Sequence, residues 1–325
     1  MSFQDIIGQV RAKQILQNEL RNDTVSHAYL FAGPRGSGRR QMALTLAKSL
    51  FCTEREGDCC DQCLECRKID HQNHSDVHVI RPDGSSIKIE QIRALQREFA
   101  YRTGDGNRKV YIMEQADLMT VQAANSLLKF LEEPLSPVVA ILITENGQAM
   151  LPTIQSRAQW IPFTPMDPET MLQVLVQEGF AQTTARCVVH LASGLDACRE
   201  IIQQNWFAEI RNVMLQLGKD CLNQMNTAMV TAHQQLFKTP LAEHLDTLMS
   251  LFLLWFKDMI HYQVNRTESI IFIDQLESIS KYAFTRDAES WVRCMELTTD
   301  MQKRLRANVN PQLAFEQFLV GVQGG

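Results

Sequence analysis

The feature that most constrains the fold is the run Gly33-Pro34-Arg35-Gly36-Ser37-Gly38-Arg39-Arg40, set between the apolar stretch Ala28-Tyr29-Leu30-Phe31-Ala32 and the helix-forming Met42-Ala43-Leu44-Thr45-Leu46-Ala47-Lys48. An apolar strand entering a glycine loop that opens a helix is the context of a phosphate-binding loop in a parallel α/β sheet. A working loop, G-x-x-x-x-G-K-[ST], supplies backbone N–H groups to cradle phosphate, a lysine for the β/γ oxygens and a hydroxyl for Mg²⁺. Here Gly33, Gly36 and Gly38 survive, while Arg39 stands at the lysine position and Arg40 at the hydroxyl position. Arg39 keeps a positive charge on a bulkier, planar fork. Arg40 has no lone pair to offer a cation and repels one. The nucleotide-binding set Gly33, Gly36, Gly38 and Arg39 is therefore expected to be vestigial, with ATP or ADP bound weakly or not at all.

The second half of such a site is altered too. After a helix with Ile89, Ile92, Leu95 and Phe99 on one face comes the strand Val110-Tyr111-Ile112-Met113, ending in Glu114-Gln115. Phosphate-loop ATPases end this strand in Asp-Glu, one carboxylate serving Mg²⁺ and the other the attacking water. Glu114 is a tolerable substitute, but the Gln115 amide has no useful basicity. Efficient hydrolysis by this chain is not expected. A helix over 121–133 follows, with Thr120 as N-cap and Pro134 as stop. Pro137-Val138-Val139-Ala140-Ile141-Leu142-Ile143-Thr144 has no polar alternation and reads as a strand buried on both faces. A last strand is expected over 158–163.

Nine cysteines in a chain without secretory features point to metal or free thiols, and five of them lie between Cys52 and Cys66. Cys52, Cys60, Cys63 and Cys66, spaced C-x7-C-x2-C-x2-C, suit tetrahedral zinc. Cys59 is an alternate for Cys60, and His71, His74 or His78 an alternative nitrogen source. Free thiols and a redox C-x2-C are the competing readings. Four ligands close the site, so its role would be structural.

The balance of 32 lysines and arginines against 37 acidic residues gives a net charge of −5, which argues against a protein that coats DNA by counterion release. Arg93, Arg97, Arg102, Arg108 and Lys109 are candidates for DNA phosphate contact inside an assembly, with solvated surface charge as the competing reading. The apolar run Leu251-Phe252-Leu253-Leu254-Trp255-Phe256 is far short of a membrane span, and Met1-Ser2-Phe3-Gln4-Asp5 carries no signal pattern. A cytoplasmic chain with no membrane partner is expected. Asp167-Pro168 is a helix start, followed by three short helices near 168–178, 184–193 and 196–204. Farther on, Leu241, Leu245, Leu248, Phe252, Trp255 and Met259 form a buried helical seam.

Several segments together carry a resemblance: Phe3-Gln4-Asp5-Ile6-Ile7-Gly8-Gln9, His27-Ala28-Tyr29-Leu30-Phe31, the cysteine module, Asn125-Ser126-Leu127-Leu128-Lys129-Phe130-Leu131-Glu132-Glu133-Pro134, and Ser156-Arg157. The chain resembles the delta-prime subunits of bacterial DNA polymerase III, AAA+ stators of the sliding-clamp loader. The resemblance implies α/β plus all-α architecture: an AAA+ RecA-like domain over 1–164 with a parallel sheet and a zinc insert at about 52–66, a three-helix lid over 165–204, and a helical collar over 205–325. It places Thr144 at the sensor-1 position and makes Arg157 an arginine finger acting in trans, with Ala158 where the family usually has cysteine. Ser193-Gly194-Leu195-Asp196-Ala197 lacks the sensor-2 arginine, and Arg199 is misplaced for that role.

The function implied is that of an ATPase-defective stator, working with tau/gamma-type ATPase subunits and the delta subunit to load the sliding clamp on primed DNA. It would be part of a DNA-directed DNA polymerase holoenzyme, a nucleotidyltransferase complex, with no catalysis of its own. The competing readings are an active tau/gamma-type AAA+ ATPase and a zinc-containing nucleic-acid-binding module.

Overall fold

A computed structural model of the chain describes residues 1–100, 108–132, 137–307 and 309–324. It divides into two compact units, Met1–Met166 and Asp167–Gly325. Arg102, Glu133 and Pro134, which carry sequence expectations, lie outside the described residues.

The first unit is built on five strands: β1 (Ala28–Ala32), β2 (Val77–Ile80), β3 (Lys109–Met113), β4 (Val138–Thr144) and β5 (Gln159–Pro162). All pair in parallel in the order β2-β3-β4-β1-β5. Every residue of β1, β3 and β4 is buried, as continuous apolar strands covered by helices on both faces require. Two cores result. One packs α4 (Ile89–Ala100) and α5 (Val121–Glu132) against the sheet through Ile92, Leu95, Phe99, Leu127 and Phe130. The other packs α1 (Val10–Arg21) and α2 (Arg39–Phe51) through Leu16, Met42, Ala43 and Leu46. The short α3 (Leu64–Asp70) and α6 (Pro152–Gln155) complete this unit. The Thr120 hydroxyl caps α5 by accepting the Ala123 N–H at 3.2 Å.

Because the sheet is parallel, its two ends differ. The loop after β1 lies at the carboxyl ends of the strands, where open α/β sheets bind ligands. Helix α2 starts there and returns the chain to the amino ends over 13 residues, about 20 Å.

The second unit is helical. It begins with α7 (Pro168–Gln177), capped by an Asp167 carboxylate that accepts the Thr170 N–H at 2.9 Å, then α8 (Gln182–Val188) and α9 (Leu195–Ile202). The helices α10 (Asn205–Asn223), α11 (Met225–Thr231), α12 (Leu245–Gln263), α13 (Leu276–Ala283), α14 (Ala288–Arg306) and α15 (Pro311–Gly324) follow. The expected seam is real: Leu241, Leu245, Leu248, Phe252, Trp255 and Met259 are all buried. Leu241, however, belongs to a 3₁₀ turn over Pro240–His244, so the α-helix starts four residues later. Asp258 on α12 is fully buried and accepts N–H groups from Ile271 and Phe272 at 2.8–3.0 Å. Among the described residues, no helix is long and apolar enough to cross a membrane.

Candidate functional site

The glycine loop occupies the place its sequence implies, between β1 and α2, but its glycines are needed by the fold itself. A Cβ on Gly33 would lie 2.3 Å from the Phe163 carbonyl oxygen, so the chain leaving β5 excludes any side chain there. Gly36 and Gly38 have φ of 75° and 83°, left-handed conformations that glycine adopts without strain. Packing and turn geometry therefore account for the glycine pattern whether or not phosphate binds.

Both arginines pair with groups of the protein, Arg39 from a buried position and Arg40 from an exposed one. Arg39 is 8% exposed, and its Nη1 donates to the Thr144 carbonyl at the end of β4 while Nη2 lies 4.0 Å from Glu145. Burial lowers its pKa, with Glu145 and Asp117 opposing that shift. Arg40 Nε donates to Glu114 Oε1 at 2.8 Å, and Arg81 Nε reaches Glu114 Oε2 at 3.3 Å. The carboxylate that would hold a metal ion thus carries two guanidinium groups. Two fixed positive charges beside one carboxylate weaken its attraction for a divalent cation. Sequence reasoning expected Arg40 to repel a cation. It did not disclose that Arg40 and Arg81 both pair with Glu114.

Thr144 is fully buried beside Ala32 in the β1–β4 register, and its hydroxyl donates to Asp117 Oδ1 at 2.8 Å and accepts the Asn146 N–H at 3.2 Å. The Thr144 carbonyl also accepts the Gly33 N–H at 3.2 Å. The loop, Thr144, Asp117 and Glu114 are therefore assembled at one end of the sheet, held by protein-to-protein contacts. In the second unit, Arg199 forms two bonds to Glu178, at 2.6 and 2.9 Å, and one to Asp196 at 2.7 Å, so its guanidinium is engaged there.

The cysteine module sits at the far end of α2, where Cys52 is the residue that ends the helix. The sulfurs of Cys52, Cys60, Cys63 and Cys66 all lie within 4.8 Å of one another. Tetrahedral zinc with Zn–S of about 2.3 Å needs sulfurs roughly 3.8 Å apart, so a small contraction completes such a site. Cys60 Sγ accepts N–H groups from Gln62 and Cys63 at 3.4 and 3.2 Å, and Cys63 Sγ accepts from Cys66 at 3.5 Å. Burial raises the Cys63 thiol, but N–H donors from Cys66 and Thr53 outweigh it and bring it down to about 6. These four residues could hold a metal ion as thiolates.

Cys59 stands apart from the quartet. Its sulfur is buried against the Met1 carbonyl at 3.3 Å, and burial pushes its thiol up to about 11. That resolves Cys60 over Cys59 as the member of the cluster. Two of the three candidate histidines are engaged elsewhere, His74 with Glu65 and His78 with Glu98, each at 3.0 Å. Lys48, 2% exposed, joins α2 to the module through Asp61 and Asp70, a link the sequence did not disclose.

Arg157 follows α6 and precedes β5, which places it at the amino ends of the strands. The intervening five-residue β1 spans about 16 Å, so Arg157 is out of reach of the chain's own glycine loop. Its side chain is 37% exposed and pairs with Glu132 at 2.6 Å. Of the DNA-contact candidates, Arg93 and Arg97 are exposed on α4, and Arg108 lies 3.5 Å from Asp23. Lys109 does not fit the expectation. It is buried, with Nζ 5.2 Å from the Phe99 ring centroid and donating to the Glu98 and Phe99 carbonyls, because it closes the last turn of α4.

The family described as DNA polymerase III, delta subunit, matches residues 8–167. The DNA polymerase III subunit delta′ of Bacillus subtilis is 35% identical over 98% of this chain and 97% of its own length. That of Pseudomonas aeruginosa is 29% identical over 91% of each chain. The tau subunit of DNA polymerase III from B. subtilis is 36% identical over 50% of this chain and 29% of its own.

Proposed function

The chain belongs to the family of DNA polymerase III delta′ subunits, and from that premise we propose that it is a clamp-loader subunit without nucleotide chemistry of its own, serving through Arg157 as an arginine finger for a neighbouring ATPase. The observation that carries this reading is the occupancy of Glu114 by Arg40 and Arg81, with Arg39 drawn back onto Thr144. Mg²⁺ and the β/γ-phosphates have lost their side-chain partners at the carboxyl ends of the strands. Arg157 lies at the opposite end, half exposed, where a second protein could meet it. A finger stabilises charge on the transferred phosphoryl group and contributes about 10³–10⁵ in rate.

The partners in this reading are tau/gamma-type ATPase subunits, the delta subunit, the sliding clamp and primed DNA, in the cytoplasm. Helices α7 to α9 form the lid and α10 to α15 the oligomerising collar. Cys52, Cys60, Cys63 and Cys66 hold structural zinc, which would anchor the end of α2 and leave no open coordination position.

The test is ATP turnover by the purified chain alone and after mixing with tau/gamma-type and delta subunits, clamp and primed DNA, with wild-type protein and Arg157→Ala. Turnover by the lone chain, or full activity of the assembly carrying the variant, would overturn the proposal.

A further inference from the structure

Arg157 is held from two directions. Its Nη1 donates to the Thr153 carbonyl at 3.0 Å and the Ser156 hydroxyl at 3.3 Å, both within its own short helical turn. Its Nη2 pairs with Glu132 Oε1 at 2.6 Å. The first two contacts fix the guanidinium only against the local turn. Glu132 comes from the last turn of α5, which packs on α6 and is rooted at the other end of the sheet by the Thr120 cap. Among these three contacts, only the Glu132 carboxylate ties the guanidinium to a separate, core-packed element.

A free arginine side chain carries rotamer entropy that it must lose when it reaches a phosphate, and a carboxylate paired with one of its nitrogens removes part of that freedom beforehand. From these contacts we propose that Glu132 is the positioning residue of the finger: it presets the direction in which Arg157 leaves the domain. The inference rests on the finger reading of Arg157. Glu132 touches no substrate and acts through the arginine alone.

The test is a double-mutant cycle in the reconstituted assembly, with kcat and KM for ATP measured for wild type, Glu132→Ala, Glu132→Gln, Arg157→Ala and the Glu132→Ala/Arg157→Ala pair. Glu132→Ala is expected to lower kcat roughly threefold to tenfold at nearly unchanged KM, as loss of preorganisation does. Glu132→Gln, which keeps a hydrogen-bond acceptor without the charge, is expected to fall between it and wild type. In the Arg157→Ala background, removing Glu132 should cost nothing further. An unchanged kcat in Glu132→Ala, or an equal loss in both backgrounds, would overturn the positioning role. If Arg157→Ala itself has no effect, the finger reading fails instead, which separates the two outcomes.

Discussion

The two ends of the parallel sheet differ in how their charged groups are used. At the carboxyl ends of the strands, polar and charged groups pair with one another: Arg39 with Thr144, Arg40 and Arg81 with Glu114, Thr144 with Asp117. At the amino ends, four cysteine sulfurs lie within 4.8 Å of one another and an arginine stands half exposed on a carboxylate. Helix α2 joins them, with the glycine loop at one terminus and Cys52 at the other. The difference teaches that one parallel sheet can hold mutually paired groups at one end and present a partly exposed guanidinium at the other. Gly33, Gly36 and Gly38 are required by the Phe163 carbonyl and the turn geometry, independently of what Arg39 and Arg40 contact.

The contrast can be broken most severely at Arg157. If Arg157 acts in a neighbouring site as proposed, Arg157→Ala is expected to slow hydrolysis at that site by about 10³–10⁵, read by single-turnover kinetics of the reconstituted assembly. Metal removal tests the other feature of the amino ends. With zinc a thousandfold above its Kd, bound metal contributes about 4 kcal/mol, so chelation or Cys66→Ser should lower the melting temperature of the chain and release one zinc per molecule. A chain that melts identically with and without chelator would remove the module from the account.

Rebuilding the carboxyl ends sharpens the contrast from the opposite direction. Arg39→Lys together with Arg40→Thr restores an ammonium and a hydroxyl, and should tighten Mg²⁺-dependent ATP binding at least about tenfold, roughly 1.4 kcal/mol, in a fluorescent-nucleotide titration. Tight Mg²⁺-dependent binding by the wild type would show that the arginines do not block the site. The smallest effect belongs to Arg81→Ala. Arg40 still holds Glu114, and a half-exposed ion pair is worth about 0–1 kcal/mol, so both stability and assembly ATPase should stay close to wild type.

Much of this was legible in the residues because its signals are local. Strand, glycine loop and helix are contiguous; the cysteine spacing is short; Thr120 and Asp167 sit immediately before the helices they cap. What escaped depends on residues far apart in the chain. Arg40 meets Glu114 across 74 positions, Arg81 meets it across 33, and no periodicity announces either pair. The same holds for Lys48, which reads as an ordinary helical lysine until the module folds its aspartates back onto α2. Lys109 misled because a basic residue beside Arg108 looks like surface charge, whereas strand β3 carries it inward to the carbonyls ending α4. Cys59 and Cys60 are adjacent, and only the backbone path decides which sulfur joins the other three.

The central claim is that this subunit contributes to hydrolysis from the amino ends of its sheet and not from its own loop. Measuring ATP turnover in two assemblies, one carrying Arg157→Ala and the other carrying Arg39→Ala with Arg40→Ala, tests it most directly. The account predicts that the first loses turnover at the adjoining site while the second retains it. Full activity with Arg157→Ala and loss with the loop variant would contradict it.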